Sequence, residues 1–213
     1  MRLIDTHSHL FLEEFSEDFP QVIERARAAG VTHIFMPNID STTIEAMLSA
    51  CSVYKGYCFP MIGLHPTSVN ANYEKELEIV ARELKFSKEY VAIGEIGMDL
   101  YWDKTYLKEQ QIVLDKQVNW ALEYDLPIVI HCRDAFDYIY KVLEPYKKTP
   151  LRGIFHSFTG TAEEAARVLE FSDFFIGING VVTFKKSHLP EILAGIPLEK
   201  IVLVSASAYL TPQ

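Results

Sequence analysis

The sequence predicts an α/β fold of the (β/α)8 barrel type, on three observations. Short β-branched runs alternate with longer helix-patterned segments, eight strand candidates can be counted, and the first turn reads His7-Ser8-His9-Leu10 rather than the glycine-rich turn of a doubly wound sheet. In chain order, the strand candidates are residues 3–7, 33–37, 59–65, 91–96, 128–132, 153–158, 174–178 and 201–204. Amphipathic segments fall between them at 19–29, 42–51, 73–84, 104–124, 136–146, 162–170 and 189–194, with Gly30 stopping the first. Parallel neighbours need a long return connection, which a helix supplies, so each strand pairs with the next through its helix. Eight such units close into a barrel. A complete barrel takes about 250 residues; this chain has 213 and stops soon after the eighth strand. It is therefore read as one domain over 1–213, a barrel lacking its last helix.

Composition narrows the function classes. Hydrophobic residues make up 49% and charged residues 23%, which excludes disordered and fibrous chains. There is no stretch of about 20 apolar residues to span a bilayer and no signal-peptide architecture after Met1-Arg2, so no membrane role and a cytoplasmic location are expected. Cys51, Cys58 and Cys132 are odd in number and form no C-x-x-C pair, against both a disulfide framework and a cysteine zinc knot. The net charge of −9 repels polyanions, so a nucleic-acid role requires a local site whose field bound cations reverse.

Such a site is visible in the strand ends. His7 and His9 flank Ser8 at the end of the first strand, and residues two apart on a strand project to one side, where two imidazoles can share an ion or simply hydrogen-bond. Glu95 lies in Ile93-Gly94-Glu95-Ile96-Gly97, where a carboxylate inside an apolar strand is costly unless paired or bound to metal. His131 and His156 end apolar runs on the fifth and sixth strands, and His65 in Gly63-Leu64-His65-Pro66 ends the third. Barrel enzymes place their chemistry at the rim formed by strand C-termini, so these positions converge. His65 is a candidate to touch substrate or a turn residue before proline. Arg133 either meets a phosphate through its planar fork or pairs with Asp134. Tyr101, Trp102 and Tyr106 either stack on a base or sugar or seal the barrel mouth. Cys132 is read as packing, and His33 and His188 have no assigned role.

At these residues the sequence resembles the TatD family of metal-dependent deoxyribonucleases, within the amidohydrolase superfamily. The resemblance runs through Ile4-Asp5-Thr6-His7-Ser8-His9-Leu10, Gly63-Leu64-His65-Pro66, Ile93-Gly94-Glu95-Ile96-Gly97-Met98-Asp99, residues 127–135 around His131-Cys132-Arg133-Asp134, and His156-Ser157-Phe158-Thr159-Gly160. It implies a (β/α)8 barrel hydrolysing phosphodiester bonds of DNA with two divalent ions. His7 and His9 would bind one ion, His131 and His156 the second, and Glu95 both. The residues' own positions and chemistry, apart from the resemblance, make Glu95 and His65 the candidates for catalysis and His65 and Arg133 the candidates for substrate binding. The resemblance implies Mg2+, whereas mixed imidazole and carboxylate ligands suit Zn2+ or Mn2+ better on softness. An amidohydrolase acting on a small ester or amide is the alternative that the fold leaves open.

The departure lies in Val204-Ser205-Ala206-Ser207-Ala208-Tyr209-Leu210, where the family carries Glu-Thr-Asp followed by alanine or serine, then Pro-Tyr-Leu. Ala206 holds the position of an aspartate that binds metal and orients or deprotonates the attacking water. Its methyl group can do neither, and losing such a base costs on the order of 10²- to 10⁴-fold. Either the chain is a catalytically silent metal-binding relative, or its tail departs from the gene's true product. The return of Tyr209-Leu210-Thr211-Pro212 to the family pattern favours the second.

Overall fold

The computed structural model describes residues 2–205. Eight parallel strands alternate with seven helices in this part of the chain. In order they are β1 (Leu3–Asp5), α1 (Phe19–Ala28), β2 (Val31–Pro37), α2 (Ile44–Val53), β3 (Cys58–Met61), α3 (Tyr73–Phe86), β4 (Ile93–Asp99) and α4 (Leu107–Glu123). There follow β5 (Ile128–Arg133), α5 (Phe136–Leu143), β6 (Gly153–Phe155), α6 (Ala162–Val168), β7 (Phe174–Ile178), α7 (Leu189–Leu193) and β8 (Ile201–Leu203).

Every strand pairs with its sequence neighbour in parallel, as βαβ connections require. The ladders form two runs, β1 to β3 and β4 to β8. An isolated bridge from Ile62 to Ile93 joins one seam. At the other, the Thr6 hydroxyl donates to the Leu203 carbonyl at 2.8 Å and the Ser205 hydroxyl to Asp5 at 2.6 Å. Together these seams close the barrel predicted from the alternation.

The core lies between the strands and the surrounding helices, with Ile34, Met36, Ile93, Ile96, Ile130 and Phe155 all sealed from solvent. β4 is buried at every position, Glu95 and Asp99 included, as expected for a strand covered on both faces. Helix ends follow their local chemistry. α1 carries Pro20 in its first turn, where no donor is needed, and Gly30 beyond its end takes φ 91°. Thr161 and Glu164 cap each other's backbone at the start of α6.

Several boundaries differ from those expected. β3 ends at Met61 rather than 65, and β6 at Phe155 rather than 158, because the rim residues leave the ladder to aim into the barrel mouth. β4 begins two residues later than expected and runs on to Asp99, well past Glu95. α4 starts at Leu107 rather than 104, since Asp103 accepts from the Thr105 amide at 2.8 Å and holds a turn before it. The end of the fifth helical segment tightens into a 3-10 turn, Glu144–Tyr146, at Pro145, which has no N–H to continue the α-helix. The expected absence of a last helix concerns the chain after β8, where residues 206–213, including Ala206, lie outside the described residues.

All three cysteines are free, and burial pushes each thiol up to about 12. At pH 8 the thiolate fraction is then on the order of 10⁻⁴. Native protein should therefore react very slowly with a disulfide reagent such as DTNB. Denaturation should release three fast-reacting thiols.

Candidate metal centre

The strand ends bring five histidines around one carboxylate. Glu95 sits in the middle of β4 with its side chain 3% exposed. Its two oxygens face different neighbours. Oε2 lies 3.0 Å from His7 Nε2 and 3.3 Å from His9 Nε2. Oε1 lies 3.0 Å from His131 Nδ1, 3.5 Å from His65 Nε2 and 2.5 Å from His156 Nε2. Two groups of potential ligands follow, His7–His9–Glu95 and His65–Glu95–His131, and they share Glu95.

Each residue reaches this point for a local reason. His7 follows directly on β1, and the Ser8 amide bonds to the Phe35 carbonyl at 3.0 Å, so the His-x-His segment continues alongside β2 with both imidazoles on the inner side. His65 precedes a short 3-10 turn, Pro66–Ser68, and its Nδ1 engages the Thr67 hydroxyl at 2.7 Å. That contact leaves Nε2 to face Glu95. His131 lies within β5 and pairs in register with Gly97 of β4. Gly97 has φ 138°, and a Cβ there would run into the His131 carbonyl oxygen, so only glycine lets the two strands approach this closely. His156 follows β6, where its amide bonds to the Ile130 carbonyl at 3.0 Å and its ring stacks on His7 at 3.9 Å.

The donor set fits divalent cations. The edges between His7 Nε2, His9 Nε2 and Glu95 Oε2 measure 3.0, 3.1 and 3.3 Å. Ligands about 2.1 Å from a common ion are separated by about 3.0 Å in octahedral and about 3.4 Å in tetrahedral geometry. Burial, followed by the adjacent His156, pushes His7 down to about 3. It is thus a neutral imidazole with a lone pair to give. No single N–H can satisfy all three atoms of that triangle, whereas a cation does. Although burial opposes its charge, His156, His7 and His65 hold Glu95 well below the usual carboxylate range.

Asp99, in the sequence visible only as the last residue of the Ile93–Asp99 motif, is part of the centre. It is buried at the end of β4 and accepts from His131 Nε2 at 2.9 Å, leaving Nδ1 toward Glu95. Burial would lower His131, but the hydrogen bonds to Asp99 and Glu95 outweigh it and push the imidazole up to about 9. A carboxylate behind a ligating histidine fixes its ring and raises its basicity. The available signal was spacing, since Glu95, Gly97 and Asp99 alternate on one side of a strand.

Two glutamines of α4 hold the rim. Gln110 accepts from the Asp99 amide at 2.9 Å and donates to its carbonyl at 3.2 Å. Two turns on, Gln117 makes the same pair of bonds with Leu64, next to His65, at 2.7 and 3.3 Å. Replacing the fully buried Gln117 by alanine should leave both Leu64 backbone groups without partners. A loss of about 2–3 kcal/mol is expected in urea unfolding.

Arg133 does not pair with Asp134, which adopts φ 52°. Its guanidinium instead lies 3.8 Å above the Tyr101 ring. With Trp102 it lines the cavity of about 780 Å³ that also holds His7, His65 and Glu95.

A closed ring of parallel strands with a histidine and carboxylate cluster at its C-terminal rim defines a metal-dependent hydrolase of the amidohydrolase type. The chain belongs to the TatD-related DNase family, whose pattern matches residues 4–213. It is 35% identical to a protein of Bacillus subtilis named uncharacterized metal-dependent hydrolase YabD, over 99% of this chain and 82% of that protein. It is 32% identical to a protein of Pantoea sp. named 3'-5' ssDNA/RNA exonuclease TatD, over 99% of this chain and 81% of the relative. The crystal structure of the TatD homologue YjjV from Escherichia coli superposes with a TM-score of 0.92 at 29% identity, covering all of this chain and 82% of that one.

Proposed function

We propose that this protein hydrolyses phosphodiester bonds of DNA, taking a single-stranded end as substrate, with two divalent ions held on either side of Glu95. The division of the Glu95 oxygens between two sets of imidazoles carries this reading. His7 and His9 would hold one ion with Oε2. His131 would hold the second with Oε1, and His65 and His156 both lie within reach of that oxygen. Such ions supply positive charge that polarises a phosphate and makes a water more acidic, and they offset the net charge of −9 that would otherwise repel DNA.

The chain's own residues do the rest. Asp99 orients His131, and Thr67 fixes the His65 ring with Nε2 facing the cavity centre. His65 is assigned to the substrate, where its Nε2 can exchange a proton with a phosphate or leaving oxygen. Arg133 is assigned to a phosphate of the bound strand, since it forms none of the arginine ion pairs found among the described residues. Support for a nucleic-acid substrate comes from the relative named as an exonuclease on single-stranded DNA and RNA. The protein is read as one domain acting in the cytoplasm; among the described residues no helix is long and apolar enough to cross a membrane.

Ala206 favours a second reading, a metal-binding relative without turnover, because the position lacks the carboxylate expected to activate water. DNA and a panel of small esters and amides, each with added divalent metal and with EDTA, separate the possibilities. DNA cleavage that EDTA abolishes and metal restores is expected. Turnover of small substrates with DNA inert would refute the nuclease reading, and metal binding without any turnover would establish the second.

A further inference from the structure

The loop after β4 carries an aromatic pair that the metal centre does not explain. Tyr101 and Trp102 meet edge to face at 4.7 Å, and Arg133 lies 3.8 Å over the first ring and 5.4 Å from the second. A role in sealing the barrel mouth would bury these rings, yet Tyr101 is 51% and Trp102 74% exposed. An aromatic ring left in water forgoes the burial that is its main contribution to stability. The group is nevertheless held in place. Asp99 accepts from the Tyr101 amide at 3.1 Å while its other oxygen holds His131. One carboxylate thus ties the aromatic loop to the metal centre. Trp102 and Arg133 both line the cavity that contains Glu95.

We propose that Trp102 is the stacking platform for an unpaired base next to the scissile phosphate, with Arg133, packed over Tyr101, holding the adjoining phosphate. This rests on the nuclease reading and deepens it. A guanidinium covered on one face by a ring keeps its in-plane N–H donors for a phosphate, and the exposed indole offers a π-face to any base. Bases inside a duplex are stacked on each other and cannot use such a face. The platform therefore selects single strands and frayed ends, with little preference among the four bases.

Base stacking on an aromatic side chain corresponds to roughly 5- to 150-fold in affinity. Trp102→Ala should raise KM for a single-stranded oligothymidylate by about that factor with little change in kcat, and Trp102→Phe should recover most of the loss. Because Trp102 is exposed, neither change threatens the fold. A second readout does not need turnover. With magnesium present, a hydrolysis-resistant phosphorothioate oligothymidylate should quench tryptophan fluorescence, and the quench should vanish in Trp102→Phe, which leaves only Trp120. An abasic oligomer of the same length and charge should bind more weakly and quench less. Equal binding and cleavage of the abasic oligomer, an unchanged KM in Trp102→Ala, or no quench with either oligomer would overturn the platform. The first two results would leave nuclease activity itself standing. Failure to cleave any nucleic acid would instead count against the nuclease reading, and the fluorescence titration would still decide the platform.

Discussion

Replacing Glu95 by alanine is expected to abolish stable uptake of both ions and to lower hydrolysis by about 10⁴-fold, the upper end of what one positioned group contributes. The magnitude follows from geometry. Every candidate ligand reaches Glu95 within 3.5 Å, and both potential metal groups contain it. Removing any one histidine leaves one group intact, whereas removing Glu95 breaks both. Glu95→Gln separates charge from shape. It keeps the volume and one acceptor oxygen but cannot bridge two cations, so it should bind metal almost as poorly as alanine while its metal-free fold survives. Metal content by elemental analysis, alongside circular dichroism, distinguishes loss of the centre from loss of the protein. Glu95→Gln with full metal content would show that the imidazoles alone hold the ions.

Ala206→Asp is expected to raise the rate by about 10² to 10⁴-fold, restoring the base that the family resemblance places at that position. Residue 206 follows directly on Ser205, whose hydroxyl donates to Asp5 at 2.6 Å and lies 3.4 Å from the His7 carbonyl oxygen. Ser205, the last described residue before this position, is thus anchored beside the first metal group. The expected gain should appear in kcat at saturating metal, and metal affinity should rise with it. An unchanged rate in protein whose intact mass confirms the substitution would mean that the missing carboxylate is not what limits the enzyme.

How much of this could be read from the sequence depended on how local each signal was. The barrel was legible because strand and helix patterns alternate, and alternation needs only neighbouring residues. Glu95, His7, His9, His65, His131 and His156 were legible as rim positions because each ends or interrupts an apolar run, and the structure brings all six into one cluster. Their grouping was not legible. The resemblance set His156 beside His131 on the second ion, while rim position alone left His65 as a candidate to touch substrate or a turn residue. In the structure His65 shares a candidate group with His131, while His156 touches Glu95 and stacks on His7. That choice depends on how far each chain travels after its strand ends, which periodicity does not encode.

Other contacts arise only from register. Arg133 stands next to Asp134 in sequence, yet β5 pairs it with Asp99, which brings Tyr101 and Trp102 of the following loop over its guanidinium. Gln110 and Gln117 look like ordinary polar positions on a helix. Only the seating of α4 against β4 shows that each closes the hydrogen bonds of a rim segment.

The most direct test of the account is anomalous diffraction from crystals soaked in manganese or zinc. Two peaks about 3.5–4 Å apart, one bounded by His7 and His9 and the other on the His131 side, with a Glu95 oxygen reaching each, are predicted. A single peak, or none at saturating metal with Glu95 turned away from His7 and His9, would contradict it.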